Sequence, residues 1–228
     1  MKYFLTVFIS FAICTPALFA QTTNDIEREI RDYASNIRNC ETQKVYSVLA
    51  NYPKFANLHA QSEDYNTPLV GAIENDCLAI AKILIENGAN VNYGNNVQKK
   101  YPLILAAVKH KRGDGNYDWP DLLADIAPLA VGTKTNRNEE TALIAAAKRA
   151  IPANVQTILE NVANPGITKT DLNGYSARMW AANNNDLRTM SLINQYDQNQ
   201  NDLKKSLNIA KQYGFSEMVK LIEKEINN

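Results

Sequence analysis

Histidine is scarce in this sequence, and its scarcity argues against one large class of enzymes. The chain of 228 residues has 2 histidines, His59 and His110, and neither has another histidine three or four positions away. Zinc hydrolases draw their metal ligands from such closely spaced histidines. The sequence also lacks a glycine-rich phosphate loop and a Cys-x-x-Cys pair. We therefore expect no enzymatic activity, no metal site and no cofactor.

An excess of charge of either sign is missing as well. The chain carries 24 basic and 24 acidic side chains, which give a formal net charge of zero and a pI near 6.7. A neutral chain has no long-range field that would gather nucleic acid or an anionic membrane. We expect no nucleic-acid partner.

Long hydrophobic runs are absent except at the N-terminus. Lys2 precedes an apolar run over residues 3–13, which Pro16 ends. The run is shorter than the roughly 20 residues that span a bilayer. This pattern predicts that residues 1–20 are a cleaved export signal, with an uncleaved anchor or a lipoprotein attached at Cys14 as alternatives. We expect a bacterial periplasmic or secreted protein without stable membrane insertion after cleavage.

A recurring segment dominates the rest of the chain. It reads NTPLVGAIEND, KYPLILAAVKH, ETALIAAAKRA and YSARMWAANNN, beginning at Asn66, Lys100, Glu140 and Tyr175. One alanine keeps the same position in each segment, and the successive spacings are 34, 40 and 35 residues: Ala72, Ala106, Ala146 and Ala181. A period in the thirties indicates stacked supersecondary units.

Each unit contains the signals of two successive helices. Thr67, Thr141 and Ser176 are predicted to cap the first helix, and Pro68 suits its first turn. Gly88 is predicted to end a second helix, because glycine adopts the left-handed conformation without a Cβ penalty. One helix pair cannot cover its own apolar face, so we expect the pairs to stack.

One of these units resembles the ankyrin repeat family. Residues 64–92, DYNTPLVGAIENDCLAIAKILIENGANVN, share the Thr-Pro-Leu start, the alanine position, the paired aliphatic residues and the Gly-Ala-x-Val-Asn finish. The units from Tyr101, Thr141 and Asp171 match less closely. The resemblance implies an all-α solenoid of stacked helix-turn-helix units with short finger loops.

The resemblance also divides the chain into segments. After the signal peptide at 1–20, residues 21–61 are predicted to form N-terminal capping helices. About four ankyrin repeats are predicted in 62–197, with an insertion near 109–120, and residues 198–228 are predicted to form a C-terminal capping repeat. Lys and Glu residues in the last segment suit a polar outer face.

Two further predictions concern the turn that joins the two helices of a unit and the state of the cysteines. Asp76 and Asn185 stand where the family has glycine, and both residue types tolerate a left-handed backbone. Aligning the units places Cys40 opposite Asp76, next to Cys77. Neighbouring helices pack about 10 Å apart, beyond the roughly 7 Å limit between bridged Cα atoms. We favour two partly buried thiols, with a disulfide as the alternative.

The insertion VKHKRGDGNYDWPD lengthens the connection between two helices of one unit. Asp118 is predicted to cap the second of these helices, and Pro128 is predicted to bend or shorten it. Residues 114–118 resemble the start of a calcium loop, but Trp119 stands where that loop needs glycine. The RGD tripeptide is short enough to arise by chance. Tyr117 and Trp119 are either partner contacts or a small core that holds the insertion.

The resemblance implies that a protein partner binds the concave face, which the first helices and the fingers form. We predict the following partner-binding residues: Glu74, Tyr93, Lys109, Tyr117, Trp119, Lys148, Arg149, Tyr175, Trp180 and Asn183. Other exposed finger positions are Asn95, Lys99, Arg137, Asn138 and Leu172.

Two features of that set have competing interpretations. Trp180 is either a binding hot spot, since tryptophan is enriched among such residues, or a core residue of the last units. Lys109, Lys148 and Arg149 either receive an acidic partner or form an ordinary solvated face.

The sequence therefore predicts an exported, monomeric, non-catalytic protein–protein binding module. Analogy with exported proteins of similar build suggests an accessory to a periplasmic enzyme or an immunity protein that inhibits a toxin. The main alternative is a secreted effector that binds a host protein, and a structural spacer without a tight partner is a further one.

Overall fold

The computed structural model describes residues 16–59, 65–110 and 118–227, with side chains described from residue 25. Residues 1–15 of the predicted export signal lie outside this part of the chain. Among the described residues, no helix is both long and apolar enough to cross a membrane.

Helices make up almost all of the regular structure. Within the described residues they are α1 (Pro16–Arg38), α2 (Thr42–Asn51), α3 (Pro68–Glu74), α4 (Leu78–Glu86), α5 (Pro102–Ala107), α6 (Trp119–Ile126), α7 (Ala142–Lys148), α8 (Pro152–Asn161), α9 (Ala177–Asn183), α10 (Leu187–Tyr196), α11 (Gln200–Gln212) and α12 (Ser216–Ile226). Short 3₁₀ turns cover Pro53–Asn57 and Ala127–Leu129.

The helices stack in two parallel rows. Each odd-numbered helix contacts the next odd-numbered helix, from α1 through α11, and each even-numbered helix contacts the next even-numbered one, from α2 through α12. Within each pair the two helices also pack on each other. The predicted all-α stack of helix pairs is confirmed, and we call the two sides the first-helix row (odd) and the second-helix row (even).

Side-chain caps start three of the first-row helices as the sequence predicts. The hydroxyl oxygens of Thr67, Thr141 and Ser176 accept a bond from the backbone N–H three residues later, at 3.3, 3.3 and 3.1 Å. Each cap satisfies a donor that the helix leaves unpaired and contributes about 1 kcal/mol.

The recurrent alanines lie at the centre of the stack. Ala72, Ala106, Ala146 and Ala181 are each 0% exposed. Their small side chains let the two rows approach, and the second row fills the space with larger aliphatic side chains. These are Ile80, Leu84, Leu122, Leu123, Ile126, Val155 and Ile158.

The turn between the two helices of a unit is left-handed. Asp76 has φ 66° and Asn185 has φ 53°, which confirms both predictions. Ala150 takes the same position with φ 52°, a conformation that costs a residue with a Cβ roughly 1–2 kcal/mol. Nothing in the sequence singled out Ala150, because alanine has no side-chain group that favours this turn.

Cys40 and Cys77 form a disulfide, so the expectation of two free thiols is wrong. Their Cα atoms are 5.2 Å apart. The spacing of about 10 Å applies to the axes of packed helices. Cys40 instead lies in the left-handed turn after α1, at φ 55°, and Cys77 lies in the turn before α4. Two turns at the edge of the stack approach more closely than the helices do, because no side-chain layer separates them.

The end of the insertion follows its predicted local rules. Asp118 and Asp121 form a capping box at the start of α6, and α6 ends at Ile126. Pro128 lies in the 3₁₀ turn that follows, so the predicted shortening is confirmed. Residues 111–117 lie outside the described part of the chain, and with them the RGD tripeptide, Tyr117 and most of the resemblance to a calcium loop.

Candidate functional site

Trp119 belongs to the core, which corrects its place among the predicted partner-binding residues. Its side chain is 1% exposed. The Lys109 amine lies 4.9 Å from its ring centroid and 3.1 Å from an oxygen of Asp76. Trp119 is the first residue of α6, and burying its large ring holds the end of the insertion against the stack. The alternative interpretation, a small core, is therefore the right one for Trp119.

Trp180 lies on the first-helix row with its ring partly exposed. Its indole N–H donates to Asp171 Oδ2 at 3.0 Å, and the Tyr175 ring lies 5.0 Å away between centroids. The Lys148 amine stands 4.7 Å from the Trp180 ring centroid. Trp180 also packs against the main core, so it combines a core contact with an accessible face.

Lys148 connects Trp180 to a buried carboxylate. Its amine lies 2.6 Å from Glu140 Oε1, and Glu140 is 7% exposed. The Asn136 side-chain amide donates to the other Glu140 oxygen at 2.6 Å. Cation, ring and carboxylates thus fix one another's orientation, and we call Glu140, Lys148, Trp180 and Asp171 the Trp180 ladder.

The three cations predicted to receive an acidic partner have different surroundings. Lys109 is engaged by Asp76, and Lys148 by Glu140. Arg149 is exposed, just beyond the end of α7. Two of the three charges are therefore neutralised within the protein.

The remaining predicted residues are spread along the same face. Glu74 pairs with Lys100 at 2.6 Å, and Tyr93 is 41% exposed on the finger between α4 and α5. Tyr175 and Asn183 are half-buried. Among the finger positions, Asn95 is buried instead of exposed, since its amide donates to Asn66 Oδ1 and its oxygen accepts from the N–H of Gln98.

A groove opens on the first-helix row between α5 and α7. Its volume is about 330 Å³. Apolar side chains of α5 form its floor, and the two adjacent fingers and the end of α7 form its rim. The lining residues are Gln98, Lys99, Lys100, Tyr101, Ile104, Leu105, Val108, Asn136, Arg137, Asn138, Glu140, Ala145, Lys148 and Arg149.

The fingers beside this groove hold one another in place. The backbone N–H of Leu172 donates to the carbonyl of Asn138 at 3.0 Å, and the Arg137 guanidinium donates to the carbonyl of Val97 at 3.4 Å. The predicted partner-binding set omitted the apolar floor of Leu105 and Val108. Their helical spacing is the same as that of core residues, so the sequence offered no signal that they face a groove.

A second cleft of about 430 Å³ lies between the N-terminal helices and α3. The His59 ring stacks on Tyr65 with centroids 5.0 Å apart, and burial lowers the pKa of His59. Burial raises the pKa of Tyr33, whose hydroxyl donates to the carbonyl of Phe55 at 3.3 Å. Within the described residues, no group of three or more His, Cys, Asp or Glu side chains is placed to hold a metal ion.

The sequence profile of the Ankyrin repeat family matches residues 64–96, which include α3 and α4. The profile and the stacked helix pairs point to the same fold. Residues 64–96 therefore form an ankyrin repeat, and the stack as a whole has the ankyrin repeat fold. Ankyrin repeat domains are generally protein-binding modules, and the fold is typically non-catalytic.

Solved ankyrin repeat structures resemble this chain over most of its length. An ankyrin repeat domain from Acinetobacter baumannii AYE, ABAYE2397, has a TM-score of 0.67 and 23% identity, covering 85% of this chain and 97% of that one. The ankyrin repeat protein EF0377 has a TM-score of 0.62 and 23% identity, covering 84% and 96%. The ankyrin repeat domain of Bcl-3, a member of the IκB protein family, has a TM-score of 0.56 and 22% identity, covering 72% and 73%.

At these identities the likeness establishes the shared fold alone. No curated protein matches the chain.

Proposed function

We propose that this ankyrin repeat protein binds one protein partner through its first-helix row and fingers, as a monomer and without catalysis. The groove between α5 and α7 is the observation that carries the proposal. Its rim is built from side chains that the protein already orients, including Glu140 and Lys148 of the Trp180 ladder. A preformed surface binds with little ordering cost, which favours tight recognition.

The same proposal places the protein outside the cytoplasm. The signal-like residues 1–20 support export, and the Cys40–Cys77 disulfide suits an oxidising compartment such as the bacterial periplasm. There it acts as an accessory to a periplasmic enzyme or as an immunity protein that inhibits a toxin. Release into the medium, followed by binding to a host protein, is the alternative.

Partner capture from native cells tests the binding face. The experiment compares tagged wild-type protein with a finger variant, Tyr93→Arg plus Leu172→Arg, and a matched control, Leu129→Arg plus Tyr196→Arg. All four side chains are exposed, and Leu129 and Leu172 are both 63% exposed. We expect mass spectrometry to find one stoichiometric partner with wild type and control, and to lose it with the finger variant. A partner lost only with the control contradicts the proposed face, and the absence of any partner contradicts the function.

Cell fractionation and N-terminal sequencing test the location. A periplasmic chain beginning at Gln21 is the expected result. A chain beginning at Met1 in the cytoplasm contradicts export, and accumulation in the medium favours the effector alternative.

A further inference from the structure

The groove between α5 and α7 carries positive charge that its own carboxylates do not balance. Of the five basic residues that line it, Lys100 pairs with Glu74 and Lys148 pairs with Glu140. The other three are Lys99, Arg137 and Arg149. All three are exposed, and no ion pair to them occurs within the described residues. The chain as a whole is neutral, so this excess is local.

The fold holds these three charges at the rim. Lys99 ends the first finger, where its backbone has φ 50°, and Arg137 lies on the next finger. The hydrogen bond from the Arg137 guanidinium to the Val97 carbonyl joins the two fingers and leaves the other guanidinium donors available. Arg149 directly follows α7 and also lines the groove.

The floor has a different character. Leu105, Val108 and Ala145 give it aliphatic surface, and Tyr101 also lines the groove. The Tyr101 hydroxyl donates to Asn96 Oδ1 at 3.1 Å, and the Lys134 amine lies 4.3 Å from the ring centroid. The Tyr101 ring is therefore held in position by the hydrogen bond to Asn96, and Lys134 already makes a cation–π contact with it.

We propose that this groove binds an acidic segment of the protein partner, with carboxylates against Lys99, Arg137 and Arg149 and an apolar side chain on the floor. This inference rests on the proposed function and adds the chemistry of the partner. Hydrogen bonds from guanidinium and ammonium groups to carboxylate are stronger than those between neutral groups, and the planar guanidinium adds directionality. Nucleic acid fits poorly, because the neutral chain lacks a long-range field and an aliphatic floor offers no stacking platform for bases.

A peptide titration followed by ¹⁵N–¹H NMR tests the proposal directly. The probe is the capped peptide acetyl-Glu-Glu-Leu-Glu-Glu-amide, and its neutral counterpart has glutamine in place of every glutamate. We expect shift changes in residues 98–108 and 136–149 with the acidic peptide and much smaller ones with the neutral peptide. Raising the salt concentration weakens the response, because exposed charges are screened.

Charge-reversal variants decide whether the rim is responsible. Lys99→Glu plus Arg137→Glu is expected to weaken binding of the acidic peptide by about tenfold or more, since two attractive contacts become repulsive. The matched control, Arg188→Glu plus Lys224→Glu, makes the same change in net charge on exposed positions of α10 and α12 and is expected to bind as wild type.

Several outcomes overturn the proposal. The first is the absence of any shift change with the acidic peptide. The second is a shift change of the same size with the neutral peptide, inorganic phosphate or a DNA oligonucleotide. The third is equal affinity of the rim variant and the wild type for the acidic peptide. The captured partner separates this inference from the proposed function. If the partner binds the rim variant and the wild type with equal affinity, the proposed protein binding stands, but the inference that the groove binds an acidic segment is contradicted.

Discussion

The guanidinium of Arg178 lies 3.0 Å from Asp197 Oδ2 and 3.1 Å from Asp202 Oδ2, with its side chain completely buried. It also donates to Asn194 Oδ1 at 3.1 Å. Arg178 comes two residues after the cap of its helix, at the position where the earlier repeats have leucine. This network joins the last repeat to α11, and it replaces an apolar contact between stacked units with an ionic one.

Removing the buried charge alone is expected to destabilise the protein strongly. Arg178→Met leaves Asp197 and Asp202 without their cation, at a cost of about 3–5 kcal/mol in the free energy of unfolding. Denaturant unfolding measures this change. Adding Asp197→Asn and Asp202→Asn to Arg178→Met removes the uncompensated carboxylates and is expected to restore part of the loss. An unchanged midpoint for Arg178→Met contradicts the importance of the network.

The disulfide is expected to stabilise the N-terminal end of the stack. It closes a loop of 37 residues in sequence separation, which corresponds to about 4 kcal/mol by loop entropy, and 2–4 kcal/mol is typical of measured cases. Cys40→Ser plus Cys77→Ala is therefore expected to lower the free energy of unfolding by about 2–4 kcal/mol. Reducing agent is expected to do the same to wild type and nothing to the double variant. Equal sensitivity of both proteins to reducing agent contradicts the prediction.

Much of the fold follows from local sequence signals. Thr67, Thr141 and Ser176 act within their own turns, so their roles are visible without knowledge of neighbouring units. The repeated alanines likewise report the close packing of the two rows. Units of about 35 residues are too small to bury their own apolar faces, so they bury them by stacking on their neighbours.

The features that the sequence concealed depend on contacts between units. Arg178 finds one of its two carboxylates, Asp202, in the next unit, and Cys40 meets Cys77 across two turns. The apolar residues of the groove floor recur at the same helical spacing as the core residues. The sequence therefore does not show that Leu105 is accessible in the groove between α5 and α7. Lys109 pairs with Asp76 of the preceding unit. The sequence does not reveal this pairing, so the sequence alone predicts Lys109 to be a partner contact.

The left-handed turn at Ala150 offers a stabilising substitution. Ala150→Gly removes the Cβ from a residue with φ 52°, which relieves roughly 1–2 kcal/mol. Glycine also increases the conformational entropy of the unfolded chain, which lowers the free energy of unfolding by about 0.5–1 kcal/mol. We expect a net gain of about 0.5–1 kcal/mol in thermal or denaturant unfolding. The control Ala153→Gly, at an exposed position in α8, is expected to lose about 1 kcal/mol. Destabilisation by both changes contradicts strain at Ala150.

His59 is expected to make the protein less stable in mild acid. Burial lowers its pKa in the folded state below the usual value of about 6.5, so the unfolded chain binds the proton more readily. Stability contributed by neutral His59 is present above about pH 7 and is lost as pH falls through 6.5 towards the folded pKa. His59→Asn suits the backbone φ of 59° and is expected to reduce the loss of stability between about pH 7.5 and pH 5. An imidazole pKa at or above 6.5 by proton NMR contradicts this assignment.

The two tryptophans are expected to respond differently to a solvent-borne quencher. Trp119 is 1% exposed, whereas Trp180 is partly exposed on the first-helix row. In Trp180→Phe the remaining emission comes from Trp119, and in Trp119→Phe it comes from Trp180, since the chain has 2 tryptophans. Acrylamide is expected to quench Trp180 more strongly, and a partner that covers the Trp180 ladder is expected to reduce that quenching without changing Trp119. Circular dichroism checks that each variant keeps its helices. Equal protection of both tryptophans indicates a general stiffening instead of contact, and no protection of Trp180 places the partner away from the ladder.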